Sequence, residues 1–260
     1  MNDDRNFVCH YTTHQVLGSI LENGELWLSN VKAMNDKSEM SHYINSLMLE
    51  LKNTFCDRDN DIDALFSKYE NQFKNESVYA LSFSQFKDDA AQWERYANNG
   101  QGVCIVFDRE KLSDLIRGKA FLQEVIYGPK QVNDPMYVEL FTYLNEGHTF
   151  DSDKNIDDIF RDIWISSSVY KHESFQREGE IRLCQVPFSN NEIFYKMENW
   201  GIREYRKLSL FDEEDDKIPD GLINQVIVGP RSVYVDGILE KYINNYIKGV
   251  DVLYSQCPLR

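Results

Sequence analysis

Phe7-Val8-Cys9-His10-Tyr11-Thr12-Thr13-His14-Gln15-Val16-Leu17-Gly18-Ser19-Ile20-Leu21-Glu22-Asn23-Gly24-Glu25-Leu26-Trp27-Leu28-Ser29 is the stretch that decides the fold class. Phe7 to Tyr11 reads as a strand. Thr12 or Thr13 then offers a side-chain oxygen to the open N–H groups of a helix, and Val16, Leu17, Ile20 and Leu21 fall on one face of it. Asn23-Gly24 stops that helix, and Glu25 to Ser29 reads as a second strand. A strand, a capped amphipathic helix and a strand in so short a span predict a sheet covered by helices.

Working outward, Asp36 and Glu39 have capping-box spacing, and Met40, Tyr43, Ile44, Leu47, Met48 and Leu51 recur beyond them at helical intervals. Ile62, Leu65, Phe66, Tyr69 and Phe73 predict a further helix, and Ser77 to Ser84 a buried strand. Asp88 and Asp89 open a short helix carrying Trp93 and Tyr96 on a shared face. Asn98-Asn99-Gly100 ends it before a core strand from Gly102 to Phe107. Between about 129 and 172 the signals are helical, with Ile156, Ile159, Phe160, Ile163 and Trp164 at i, i+3, i+4 spacing. Strand character returns at Gly179 to Cys184, Tyr205 to Leu210 and Leu222 to Val228. A helix from Val233 to Tyr246 and a strand from Val250 to Tyr254 follow. Asp212 to Asp216 reads as an exposed hairpin tip, because like charges seek water. No Pro/Gly/Ser linker interrupts the chain, so residues 1–260 form one α+β domain with a helical insertion at about 129–172.

With 42% hydrophobic and 13% aromatic residues the chain can bury a large core. Its 28 basic and 43 acidic residues leave a net charge of −15, which disfavours a broad nucleic-acid surface. The polar start Met1-Asn2-Asp3-Asp4 lacks a secretory pattern and no apolar run approaches the ~20 residues of a membrane span, which predicts a cytoplasmic protein without a membrane partner. Cys9, Cys56, Cys104, Cys184 and Cys257 are widely spaced, mostly in apolar runs, and read as reduced thiols; none forms a CxxC pair. His10 and His14 lack a third ligand nearby, so no metal site is expected. GxGxxG, Walker, HExxH and nucleophile-elbow patterns are absent from the sequence.

His10-Tyr11-Thr12, Asn35-Asp36, Ser82-Phe83-Ser84, Trp93…Tyr96-Ala97, Gly102-Val103-Cys104-Ile105 and Glu178…Glu180…Arg182 occur in the order that marks a bacterial family catalogued as domain of unknown function 2971, and the chain resembles that family over most of its length. Members usually read Asn-Asp-Pro where this chain has Lys37, and often an aromatic where it has Arg177. The layout also resembles ADP-ribosyltransferase-fold toxins whose first strand reads His-x-Thr. That resemblance implies a mixed, split β-sheet, NAD as substrate rather than as a resident cofactor, and no metal. It implies that His10 holds a ribose of NAD, that Tyr96 or Trp93 packs on the nicotinamide, and that Glu180 holds the ribose 2′-hydroxyl. A toxin or phage-defence setting, with an antidote or regulatory partner, is an expectation of the same origin.

The chemistry of the residues fits that expectation. Opening the nicotinamide–ribose bond leaves positive charge on the ribose, which a fixed carboxylate stabilises in the transition state. Residues 178, 180 and 182 alternate onto one strand face, so Glu178, Glu180 and Arg182 project together while Ile181 and Leu183 enter the core. Glu180 is then the catalytic carboxylate, and Glu178 orients an acceptor, protein or nucleic acid. His10 donates to a ribose hydroxyl, on a central strand neighbouring that of Glu180 and facing the same cleft. Tyr11, Thr12, Ser29, Asn35, Trp93, Tyr96 and Arg182 complete the candidate cofactor-binding set. Lys171 could meet phosphate. Bland readings stand beside each: a solvated Glu–Arg pair, a satisfied core histidine, aromatics that only pack, and Lys171 as a solvated lysine. Two other functions fit the same residues, a non-catalytic nucleotide- or partner-binding module and an N-glycoside hydrolase using the carboxylate pair.

Overall fold

The computed structural model describes residues 6–33, 39–73, 77–128, 134–145, 154–185, 192–198, 201–212, 216–233 and 237–259. In chain order these form β1 (Phe7–Thr12), α1 (His14–Asn23), β2 (Glu25–Asn30), α2 (Glu39–Thr54), α3 (Asp59–Phe73), β3 (Tyr79–Ser84), α4 (Ala90–Tyr96) and β4 (Val103–Asp108). They continue as α5 (Arg109–Leu115), β5 (Phe121–Glu124), β6 (Ile126–Tyr127), α6 (Pro135–Asn145), α7 (Lys154–Ser167) and β7 (Tyr170–Lys171). A 3₁₀ turn (Glu173–Glu178) leads into β8 (Glu180–Gln185), followed by β9 (Phe194–Glu198), β10 (Gly201–Ser209), β11 (Ile223–Val228), α8 (Ile238–Ile243) and β12 (Asp251–Tyr254).

The opening stretch folds as its pattern requires. Thr13 caps α1 by accepting from the Val16 N–H, and Gly24 ends it at φ 59°, a left-handed conformation in which glycine carries no steric penalty. Leu17, Ile20 and Leu21 pack with Leu26, Leu28, Val103, Ile105, Ile181 and Leu183 into the main core on one face of the sheet. On the other face Trp93 of α4 and Ala97, which ends that helix, cover Cys9, Tyr11, Cys104 and Val106.

The sheet is mixed and runs β12-β11-β4-β1-β3-β2-β10-β9, with β8 on β3 and β5 on β8. β11 and β12 pair in parallel, and the remaining pairs of this sheet are antiparallel. Its decisive feature is the edge of β3. β8 follows one edge of β3 completely, from Tyr79↔Gln185 to Ser84↔Glu180. β1 and β2 both meet the opposite edge, β1 at Cys9↔Ser84 and β2 at Ser29↔Ala80 and Asn30↔Tyr79. Among the described residues no strand covers Leu81 to Phe83 on that side, so the sheet is open between β1 and β2.

The helical layer is larger than the expected insertion. α6 and α7 share a core with α2 and α3, in which Tyr43, Leu47, Leu51, Ile62, Tyr69, Leu140, Phe160 and Ile163 are buried. The helical signal near 129–172 is therefore half of a bundle whose other half precedes β3. The Asp36–Glu39 cap lies outside the described residues. Of the acidic run Asp212 to Asp216, residues 213–215 also lie outside the described residues; β10 before it pairs with β2, and β11 after it with β4. The last helix is confined to Ile238–Ile243, shorter than the apolar pattern from Val233 implies. Among the described residues no helix is long and apolar enough to cross a membrane, and no cluster of three or more His, Cys, Asp or Glu could hold a metal. All five cysteines are free thiols, with Cys56 exposed.

Candidate functional site

The opening between β1 and β2 contains a cavity of about 590 Å³ lined by His10, Tyr11, Ser29, Leu81 to Ser84, Gln92, Tyr96, Glu178, Glu180 and Arg203. A second cavity of about 490 Å³ shares His10, Tyr11, Ser29, Leu81, Tyr96 and Arg203 with it and extends over Thr12, α1, Trp27, Lys196 and Tyr205. The two form one groove with a carboxylate end and an aromatic, cationic end.

Glu180 is buried at the first residue of β8 and is held by four donors. Its Oε1 accepts from Ser82 Oγ at 2.5 Å and Arg182 Nε at 2.8 Å. Its Oε2 accepts from Lys171 Nζ at 3.0 Å and Arg182 Nη2 at 3.3 Å. Burial alone would raise its pKa, but the charges of Arg182 and Lys171 and the hydrogen bonds of Arg182 and Ser82 outweigh it and bring the carboxyl down to about 2. Glu180 is therefore ionised throughout the working range. Its backbone N–H donates to the Tyr127 hydroxyl at 2.8 Å, and Arg182 Nη1 reaches the Ser168 carbonyl at 2.5 Å, fixing the guanidinium behind the carboxylate.

Glu178 reaches the same cluster by another route. It ends the 3₁₀ turn rather than lying in β8, and Gly179 at φ 51° swings the chain from turn to strand. Strand alternation thus accounts for Glu180 and Arg182, with Ile181 and Leu183 in the core, but not for Glu178. Its carboxylate accepts from Lys171 Nζ at 2.7 Å and Arg95 Nη1 at 2.7 Å. Lys171, buried on β7, bridges both glutamates and is no solvated lysine. Three cations, Arg95, Lys171 and Arg182, thus surround two carboxylates.

His10 departs from expectation in two respects. Its strand is not next to β8: β3 lies between them. The register Cys9↔Ser84↔Glu180 places Cys9 and Glu180 toward one face of the sheet, so His10 starts from the other, where its ring meets Phe83 edge-on at 5.7 Å. The two residues line one cavity because it follows the open edge of β3. His10 Nδ1 lies 3.3 Å from the Ser82 carbonyl, to which it can only donate. Burial, partly offset by that bond, lowers its pKa to about 4. The neutral ring keeps Nε2 as an acceptor, so His10 can receive a hydroxyl proton rather than donate one.

Of the remaining candidates, Ser29 lines both cavities and Thr12 the second. Tyr11 forms wall only, its hydroxyl donating to the Phe86 carbonyl and accepting from the Asp89 N–H, both at 2.9 Å. Tyr96 is 43% exposed at the cavity. Trp93 does not share its setting: it is fully buried, donates to Asp88 Oδ1 at 2.7 Å and packs on Tyr11, so it belongs to the core. Arg182 acts through Glu180 and does not line the groove. Asn35 lies outside the described residues. Sequence reasoning missed the roles of Ser82, Lys171, Arg95, Lys196 and Arg203. A lysine directly after Ser168-Val169-Tyr170 was a usable signal for Lys171, because a charge in a buried run requires a partner.

A family model described as "Protein of unknown function (DUF2971)" matches residues 92–183. That span runs from α4 into β8 and contains Arg95, Tyr96, Lys171, Glu178, Glu180 and Arg182. Comparison with curated proteins and with solved structures returns no match.

Proposed function

We propose that the groove binds NAD and that the protein is an ADP-ribosyltransferase-like enzyme, opening the nicotinamide–ribose bond and passing ADP-ribose to an acceptor or to water. The observation that carries this reading is the state of Glu180: buried, ionised and fixed beside a cavity whose other walls offer the His10 acceptor and the Tyr96 ring. A carboxylate with a pKa near 2 cannot act as a general acid. Most glycosidic leaving groups need a proton, whereas the nicotinamide of NAD is already a pyridinium and departs neutral. A site that supplies negative charge without a proton therefore suits NAD and disfavours the hydrolase that needs one protonated carboxyl of a pair. In this reading Glu180 stabilises the ribose cation and His10 Nε2 accepts from a ribose hydroxyl. Tyr96 packs on the nicotinamide ring, and Glu178 orients the nucleophile.

A second reading, a non-catalytic nucleotide-binding module on the same scaffold, is favoured by the four donors already on Glu180, which offset the charge it could lend to a substrate. The two separate through Glu180→Gln, assayed by nicotinamide release and by incorporation of labelled ADP-ribose into cell lysate. Turnover should fall by roughly two to three powers of ten with little change in NAD binding. Wild-type protein that is stabilised by NAD but releases no nicotinamide with protein, DNA or RNA present would establish the binding module instead.

A further inference from the structure

Gln92 is a buried amide of which only half is used by the fold. It lies in the first turn of α4, 6% exposed, and its backbone N–H donates to Asp89 Oδ1 at 3.0 Å. Its Nε2 donates to the Glu178 carbonyl at 3.2 Å, an oxygen that also accepts from Ser84 Oγ at 3.3 Å. A carbonyl oxygen only accepts, so this bond fixes which end of the amide is nitrogen and turns Oε1 away from Glu178. Among the described residues Oε1 has no partner, and it is not one of the partnerless atoms sealed in the interior. Gln92 lines the inner cavity, which is the space that remains for this oxygen to face. A fixed acceptor in a buried wall leaves a hydrogen bond unmade until a ligand brings a donor.

Tyr96 lies one helical turn further along α4, on the same face, and its half-exposed ring lines the same cavity. A flat ring packed on Tyr96 therefore has Gln92 within reach of its substituents. The acceptor calls for an N–H there, and a substituent that is itself only an acceptor meets it oxygen to oxygen. We infer that Gln92 Oε1 accepts a hydrogen bond from the carboxamide of an aromatic ring packed on Tyr96, and so selects nicotinamide over rings that carry a ketone or a carboxylate in its place. The inference deepens the NAD reading, and it rests on that reading only for the dinucleotide to which the ring is attached. A site built to pair with an N–H rejects the isostere without one, because its own polar group is then left unpaired.

The test is titration calorimetry of the whole protein with nicotinamide, 3-acetylpyridine and nicotinate, none of which carries a bond for the site to cleave. Nicotinamide should bind wild type about fivefold or more tightly than 3-acetylpyridine, in which a methyl group replaces the amide nitrogen and both N–H donors are lost. Nicotinate, which sets a carboxylate against the Gln92 oxygen, should be weaker than nicotinamide by about tenfold or more. These comparisons need no variant to fold. Gln92→Met, of similar volume but without the amide, should weaken nicotinamide until it and 3-acetylpyridine agree to within about twofold. A role confined to holding the Glu178 carbonyl would instead lower both ligands alike and preserve their ratio. Equal affinity of wild type for nicotinamide and 3-acetylpyridine, failure to bind nicotinamide, or a ratio unaltered by Gln92→Met overturns the inference. Nicotinamide held through Gln92 by a protein that neither binds nor cleaves NAD would leave this carboxamide site standing and remove the NAD reading. Cleavage of NAD and of its 3-acetylpyridine analogue with equal KM would do the opposite.

Discussion

Glu180→Gln should destabilise the protein by an amount that depends on pH in a defined way. The carboxyl titrates at about 2 in the folded protein against an ordinary 4.5. Its folded pKa is depressed, so its contribution is complete above the unfolded value and disappears as pH falls through the folded one. A fall from 4.5 to about 2 corresponds to about 3 kcal/mol at neutral pH and about 1.5 kcal/mol at pH 3. The group is 5% exposed, so solvent screening removes little of this. Glutamine keeps an oxygen for one donor but leaves Lys171 and Arg182 facing a neutral amide, and breaking a buried ion pair from one side costs a similar ~3–5 kcal/mol. Urea unfolding of both proteins at pH 7, 5, 4 and 3 should give a gap of about 3 kcal/mol at the first two pH values, halved at the last. A gap constant from pH 7 to pH 3, or below about 1 kcal/mol at pH 7, would refute the assignment of Glu180 as a charge-locked carboxylate. The same numbers govern the activity test, which must be run where the variant is still folded.

Gly102→Ala should yield little folded protein, because a Cβ there would lie 2.0 Å from the Thr12 carbonyl oxygen at the end of the β1–β4 pairing; a melting temperature within a few degrees of wild type would contradict this. Tyr96→Phe should leave NAD affinity nearly unchanged while Tyr96→Ala weakens it by about tenfold, since the proposed contact is ring packing; equal losses in calorimetry would assign the role to the hydroxyl instead. NAD affinity should be flat from pH 8 to pH 5 and fall only near pH 4, where His10 gains its proton; a fall centred at about 6.5 would mean that the ring titrates like a free histidine.

The sequence disclosed the elements better than their neighbours. Periodicity and caps located α1, β2, the apolar face of α2 and the short α4, because each depends on side chains a few residues apart. It could not disclose that β3 carries β8 on one edge and the separated β1 and β2 on the other, since that pairing joins residues 9, 29, 84 and 180 across the chain. For the same reason the helical signal at 129–172 looked like an isolated insertion rather than half of a bundle. β9 was missed because its exposed Tyr195 and Met197 carry no burial alternation.

The site was legible in its residue types and not in its charge balance. Glu178 and Glu180 are near neighbours in sequence and their proximity was expected; the cations that neutralise them come from α4, β7 and two residues along β8. That balance restricts the chemistry. With Arg182 and Lys171 in contact, Glu180 presents a fixed dipolar cluster rather than a bare anion, and a fixed dipole stabilises a cation without reorganising as the charge develops. It also stays ionised at neutral pH, so Glu180 itself has no proton to give a leaving group. In the proposed reaction a nucleophile held by Glu178 would lie close to the half-exposed guanidinium of Arg95, which is 2.7 Å from that carboxylate. A neutral hydroxyl or water approaches that cation at lower cost than another guanidinium does. Within the proposed reaction, that difference favours a hydroxyl or water over an arginine side chain as the acceptor.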